Sequence, residues 1–216
     1  MNKKSTAQYE YAARWYNSRS HGKSVVTIIT TDIKHTMNDL MCTIPALETD
    51  RLILSAHRKT DHKDVAALWA DRTVTHYIMA GQRSTSRDSW MRMLSYLGLW
   101  PLLGYGYWAV RDKRTGRYMG DIGFADFYRE LDTDISQYPE AGWVFAPWAQ
   151  GQGYAGEALD AILNWLKNVR GINECVCIIS PDNQPSVNLA ERHGFRQKEI
   201  LGMDYKSVIL YHLTID

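Results

Sequence analysis

Surplus charge is almost absent from this 216-residue chain, which carries 25 Lys and Arg against 24 Asp and Glu. Non-specific nucleic-acid binders need excess positive charge to displace counterions from phosphates, so that class is excluded; a small anionic ligand held by a few local groups is not. Cysteine is scarce as well. Cys42, Cys175 and Cys177 are an odd, sparse set, which excludes a disulfide framework. Cys175 and Cys177 alternate inside an apolar run and so share one face of a strand. With no second Cys/His pair at ligand spacing they read as buried small hydrophobes rather than a metal or redox pair, and no metal is expected. Long hydrophobic runs are missing too. No stretch approaches the roughly 20 apolar residues that span a bilayer, and the opening MNKKSTAQYEYAARWYNSRS lacks the apolar segment of a secretory signal. The expectation is a soluble, cytoplasmic protein with no membrane partner.

What remains is an ordinary globular composition, 45% hydrophobic and 23% charged, long enough to bury a core. The chain divides at about residue 46. Residues 1–46 are polar with isolated aromatics and one β-like run, 25–31, and read as an extension that is loosely attached or docks on a partner or a second subunit, so a homodimer stays open. Met41 offers an alternative start. From Thr49 the pattern is regular. Residues 51–55 read as a strand. A helix capped by Thr60 is predicted to about residue 71, with Val65, Leu68 and Trp69 on one face. A second helix begins at Ser84-Thr85-Ser86 and is predicted to stop before Pro101. Residues 106–111 and 117–124 form two strands around a turn, 129–138 a polar loop, and 140–146 a further strand. A helix from Tyr154 to about Val169, a strand at 175–179, a short helix at 185–192 and two closing strands complete the 47–216 domain.

One segment carries chemistry. Residues 140–147, EAGWVFAP, lead into 148–157, WAQGQGYAGE. A strand feeds a glycine-rich turn, and the turn feeds a helix. Helix N-termini present unpaired N–H groups and the positive end of the dipole, and glycines let the backbone approach a ligand closely. Together they make a phosphate cradle that needs no lysine. Gly151-x-Gly153-x-x-Gly156 also matches a dinucleotide fingerprint. That pattern requires its glycines immediately after the strand and a second half of fold behind them. Here Pro147 intervenes and only about 60 residues follow, although Asp182 could imitate the ribose-binding acid.

Gln150-x-x-Gly153-x-Ala155 resembles the Q/R-x-x-G-x-G/A motif of the GNAT superfamily of N-acetyltransferases. The longer stretch from Glu140 to Ala158, the opening LETDRLIL at 47–54, and Asn183-Gln-Pro-Ser186 followed by Gly194-Phe195 together resemble the ribosomal-protein N-terminal acetyltransferase branch. The likeness covers about residues 47–213 and leaves the extension unexplained.

The resemblance implies an α+β fold: a split, mixed, mostly antiparallel central sheet with helices on both faces. It implies acetyl transfer from acetyl-CoA, as cosubstrate, to a primary amine through a direct ternary complex. Main-chain groups of Trp143 and Phe145 would hold the pantetheine arm. The loop and helix start formed by Gln150, Gly151, Gly153, Tyr154, Ala155 and Gly156 would hold the pyrophosphate, and Asn183 would reach the arm from the other side. Glu140 is the candidate base, and Ser186 the candidate group that protonates or stabilises the leaving thiol; a solvated strand residue and a helix-cap serine are the plainer readings of each. Many relatives of this kind place a tyrosine acid just before the closing Gly-Phe, where this chain has Ala190, with Tyr205 and Tyr211 as substitutes. That gap motivates the alternative of a non-catalytic acyl-CoA-binding or sensor module. Trp90, Trp100, Tyr105 and Trp108 are expected either to wall the acceptor site or to fill the core. A protein N-terminus, a polyamine and an aminoglycoside-like amine all remain open as acceptors.

Overall fold

A computed structural model describes residues 44–78, 81–129, 131–203 and 206–215. The 25–31 run, Cys42 and Tyr205 lie outside the described residues. The strands are β1 (Leu47–Glu48), β2 (Leu52–Ser55), β3 (Tyr107–Asp112), β4 (Tyr118–Ala125), β5 (Glu140–Phe145), β6 (Glu174–Ile179), β7 (Arg196–Met203) and β8 (Lys206–Thr214). They form one sheet in the order β1-β2-β3-β4-β5-β6-β8-β7. Every neighbouring pair is antiparallel except β5 and β6, which run parallel and pair only at Glu140 opposite Val176. This is the expected split, mostly antiparallel sheet.

Among the described residues, five α-helices accompany it: α1 (His62–Ala70), α2 (Arg72–Thr75), α3 (Ser86–Leu103), α4 (Tyr154–Arg170) and α5 (Gln184–Arg192). Strand alternation separates two cores. Trp108, Val110, Ile122, Phe124 and Phe145 point to the face where Ala158, Leu159, Ile162 and Leu166 of α4 pack. Ala109 and Val144 point the other way, onto Val65, Leu68 and Trp69 of α1 and Met93 of α3. Cys175 and Cys177 share the α4 face and are buried; burial pushes the Cys175 thiol up to about 12 and raises that of Cys177 as well.

Two boundaries differ from those predicted. The first helix is not capped by Thr60: a 3₁₀ turn, Lys59–Asp61, precedes it, and the Asp61 carboxylate accepts from the Arg58 amide at 2.6 Å. The second does not stop at Pro101. Thr85 and Asp88 close a reciprocal capping box at its start, and the helix continues to Leu103, ending at Gly104 with φ +74°. Proline lies in the last turn, where few further bonds depend on it, and Trp100 beside it is anchored in the core.

Candidate active site

Beyond Glu140, β5 and β6 make no further pairs, and the split opens. The Ala146 amide bonds Met119 on the neighbouring β4 at 2.8 Å. By strand alternation the main-chain groups of Val144 turn the same way, and those of Trp143 and Phe145 face the open edge. The Phe145 carbonyl there accepts from Gln150 Nε2 at 2.8 Å, so Gln150 ties the loop back to the strand that precedes it.

The loop itself turns on glycine. Gly151 and Gly153 have φ of +73° and +79°, in the left-handed region that side chains disfavour. Gly153 is the N-cap of α4 and carries no side-chain cap, so the first amides of that helix point outward with no partner from the cap residue. Arg51 braces the turn from β1–β2: its Nη1 donates to the Gln152 carbonyl at 2.9 Å, and its guanidinium lies 4.4 Å from the centre of the Tyr154 ring. Glu157, one turn into the helix, accepts from the Arg51 amide at 2.8 Å and from the Thr49 hydroxyl, and pairs with the Arg51 side chain. Burial alone would raise this carboxyl; the hydrogen bonds from Thr49 and Arg51 outweigh it and hold it below the usual glutamate value. The LETDRL and GE sequences thus meet in space, although Arg51 and Glu157 are 106 residues apart in the chain.

Two cavities of about 380 Å³ each flank the split. The first is lined by Phe145, Gln150, Gly151, Gly153, Tyr154, Ala155 and Gly156, with Arg192 of α5 at its side. The second is lined by Glu140, Trp69, Arg92, Tyr96, Tyr107, Phe127 and Arg129. They share Tyr77, Ile78, Trp143, Val144, Asn183 and Ser186. At this junction Trp143 Nε1 donates to Ser186 Oγ at 3.3 Å, bridging β5 to α5 across the split. Asn183 is the N-cap of α5, accepting at 3.3 Å from the Ser186 amide through Oδ1; its amide NH₂ is a donor the cap does not use.

Glu140 is buried at the closed end of the split. Arg129, from the loop after β4, grips both its oxygens, Nε and Nη2 each at 2.8 Å. The structure therefore brings Glu140, Trp143, Phe145, the 150–156 loop, Asn183 and Ser186 into one continuous groove. Tyr211 is buried in the α4-side core and lines neither cavity. Trp100 and Trp108 also belong to that core, edge to face with Trp165, and Trp90 packs on His62. The aromatic wall of the second cavity comes instead from Trp69, Tyr77, Tyr96, Tyr107, Phe127 and Trp143. Tyr96 and Tyr107 stack with centroids 4.2 Å apart. Burial, then the nearby Glu140 carboxylate, raises the Tyr107 phenol, while Arg129 and Arg92 pull it down.

Behind that wall lies a buried polar cluster. Asp121 of β4 accepts from the Tyr118 hydroxyl at 2.5 Å and Trp69 Nε1 at 3.3 Å, and pairs with His57 Nε2 at 2.8 Å. His57 and Asp121 side chains are fully inaccessible, which makes this histidine part of the core. Among the described residues no helix is long and apolar enough to cross a membrane.

Comparison with known proteins agrees with this geometry. The profile of the Acetyltransferase (GNAT) domain matches residues 51–196. The uncharacterized protein YkkB of Bacillus subtilis is 33% identical over 110 residues, covering 50% of this chain and 62% of that protein, so the match leaves over a third of the relative unmatched. A solved GNAT-family acetyltransferase from Bordetella pertussis is 28% identical, covering 79% of this chain and 99% of that one, with a TM-score of 0.70. The ribosomal L7/L12 alpha-N-protein acetyltransferase RimL, solved with coenzyme A, shares the fold at 18% identity and TM-score 0.66, over 80% of this chain and 99% of its own. With the profile spanning most of the domain and the split, loop and junction all in place, the chain belongs to the GNAT family of acetyltransferases.

Proposed function

We propose that this protein transfers the acetyl group of acetyl-CoA to a primary amine in a direct ternary complex, in the cytoplasm, where that thioester is available. The observation that carries the reading is the junction. A groove lined by a glycine-rich helix start meets, at Trp143 and Ser186, a second cavity that ends on a buried carboxylate. The amides of residues 151–156 would hold the pyrophosphate, the open edge of β5 at Trp143 and Phe145 the pantetheine, and Asn183 its opposite side.

In this scheme the amine nitrogen attacks the thioester carbonyl, forming a C–N bond as the C–S bond breaks. Glu140 takes the amine proton, directly or through a water; its carboxylate offers about four lone-pair sites, of which Arg129 occupies two. Ser186 accepts from Trp143, which leaves its own O–H to donate to the departing thiolate. No tyrosine before Gly194 is required. The finer kinship with ribosomal-protein N-terminal acetyltransferases belongs to this proposal: it rests on the sequence landmarks, since the likeness to RimL is one of fold.

The test is thiol release from acetyl-CoA with and without a panel of amines. Amine-dependent release is expected. Tight acetyl-CoA binding with no amine-dependent release would instead support the non-catalytic acyl-CoA-binding module.

A further inference from the structure

Tyr107 of β3 brings a hydroxyl to the second cavity that the scheme above does not use. It is the first of three residues that stand opposite one another across the sheet: Tyr107 faces Gly123 of β4, and Gly123 faces Gly142 of β5. Opposite residues send their side chains to one face. Here the second and third have none, and the tyrosine leans across both strands. A Cβ on Gly123 would fall 2.4 Å from the Tyr107 Cα, and one on Gly142 would fall 2.1 Å from the Tyr107 hydroxyl. The two glycines are what let a phenol reach from β3 to β5.

The hydroxyl arrives beside the candidate base. Glu140 and Val144 lie two residues either side of Gly142, share its face, and line the second cavity together with Tyr107. Tyr96 stacks on the tyrosine ring, 4.2 Å between centroids and 4° from parallel, and Phe127 lies 6.2 Å away. These rings fix the phenol, while its hydroxyl bonds to no other group among the described residues. Burial, then the Glu140 carboxylate, raises the phenol; Asp121 adds to this, and Arg129 and Arg92 oppose it. The oxygen therefore keeps its proton at neutral pH, and its lone pairs can accept a hydrogen bond.

An ammonium group entering the cavity has three N–H bonds to place. One passes its proton to Glu140. A nitrogen held by that contact alone can still turn about it, and attack needs the lone pair aligned with the thioester carbonyl.

Resting on the acetyl-transfer reading with Glu140 as base, we infer that the Tyr107 hydroxyl is the second anchor of the acceptor nitrogen. One N–H of the amine stays bonded to the Tyr107 oxygen while another gives its proton to Glu140. The lone pair so uncovered is held toward the split, where it forms the C–N bond as the C–S bond breaks.

The test uses the full chain at saturating acetyl-CoA, with thiol release from alanylserine, spermidine and kanamycin; the fastest acceptor is carried forward. Tyr107→Phe keeps the stack on Tyr96 and should fold with a parent-like Tm. Its kcat/KM for the amine should fall about tenfold or more, as loss of a hydrogen bond to a charged group warrants, while calorimetry shows the acetyl-CoA Kd within about twofold of the parent. Raising the pH should not restore the rate, because the missing group orients the nitrogen and does not take its proton; this separates Tyr107 from Glu140. Gly142→Ala pushes the hydroxyl aside and should cost a similar factor in the parent. In the Tyr107→Phe background it should cost about twofold or less, a non-additivity that a merely structural role would not produce. An unchanged kcat/KM in Tyr107→Phe, rescue of that variant by pH, a loss confined to acetyl-CoA affinity, or equal losses from Gly142→Ala in both backgrounds would overturn the inference while leaving acetyl transfer standing. Acetyl-CoA binding with no release for any of the three amines would remove the acetyl-transfer reading, and this inference with it.

Discussion

Glu140 occupies the one register position that β5 and β6 share, and Arg129 fixes its carboxylate from the side. An aliphatic amine is almost wholly protonated at neutral pH, so a base at this point contributes on the order of 10²–10⁴-fold. Glu140→Gln keeps size and removes charge; kcat should fall by about that factor, acetyl-CoA affinity should hold, and raising the pH should restore part of the rate by supplying free amine. A rise in KM for the amine at constant kcat would instead assign Glu140 to recognition alone. Glu157 gives a second residue-scale expectation. Its folded carboxyl is held below the ordinary 4.5, so its stabilising contribution is complete above that value and is lost as the pH falls through the lower folded one. Glu157→Gln should lower Tm at neutral pH and reduce the loss of Tm on acidification below pH 4.5; parallel Tm-against-pH curves for variant and parent would refute this. Glu140, Asn183 and Ser186 were legible because each lies within or beside a motif of fixed spacing. Arg92, Arg129 and Tyr107 were not. They come from a helix, a loop and a strand far apart in the chain, and no local pattern distinguishes an arginine that lines a cavity from one on a solvated face.

At the scale of elements, the loop and α4 form a unit whose shape depends on two left-handed residues. Gly153→Val places a β-branched side chain at φ +79°, where a Cβ would also lie 3.5 Å from the Arg51 guanidinium. The strained turn should misdirect the first amides of α4, and calorimetry should show acetyl-CoA affinity reduced about tenfold or more. Gly153→Asn should lose less, because asparagine tolerates that region better. Equal affinity in a folded Gly153→Val protein would remove the pyrophosphate assignment. The strand-turn-helix order here was readable from glycine placement and helical periodicity. The bounds of α1 and α3 were not, since tertiary anchors decided them: Asp61 rather than Thr60 starts the first, and buried Trp100 carries the second past its proline. The aromatic wall shows the same limit. On sequence alone Trp100 and Trp108 either wall a site or fill the core; the fold buries their large apolar rings against Trp165, and Tyr96 and Tyr107 reach the cavity instead.

On the scale of the whole molecule, the sheet consists of two halves joined by one parallel pairing and by the Trp143–Ser186 contact. A ligand lying in the split, against β5 on one side and Asn183 on the other, touches both halves and so binds the folded chain alone. Linkage then fixes the size of the effect: at a hundred times its Kd such a ligand stabilises by about 2.7 kcal/mol. For a chain of 216 residues, where 1 kcal/mol moves Tm by about 2–4 °C, acetyl-CoA should raise Tm by about 5–11 °C. NAD shares a pyrophosphate and a nucleoside with the coenzyme but has no pantetheine arm to lie along the open edge of β5, so at the same concentration its shift should be small. The same contrast should persist when residues 1–41 are removed, because the profile match begins at residue 51 and, among the described residues, those that line the cavity lie downstream of it. Scanning fluorimetry of both chains with each ligand decides the matter. A shift by NAD equal to that by acetyl-CoA would return the glycine loop to the dinucleotide reading. A truncated chain that folds yet no longer responds to acetyl-CoA would make the first 41 residues part of the coenzyme site.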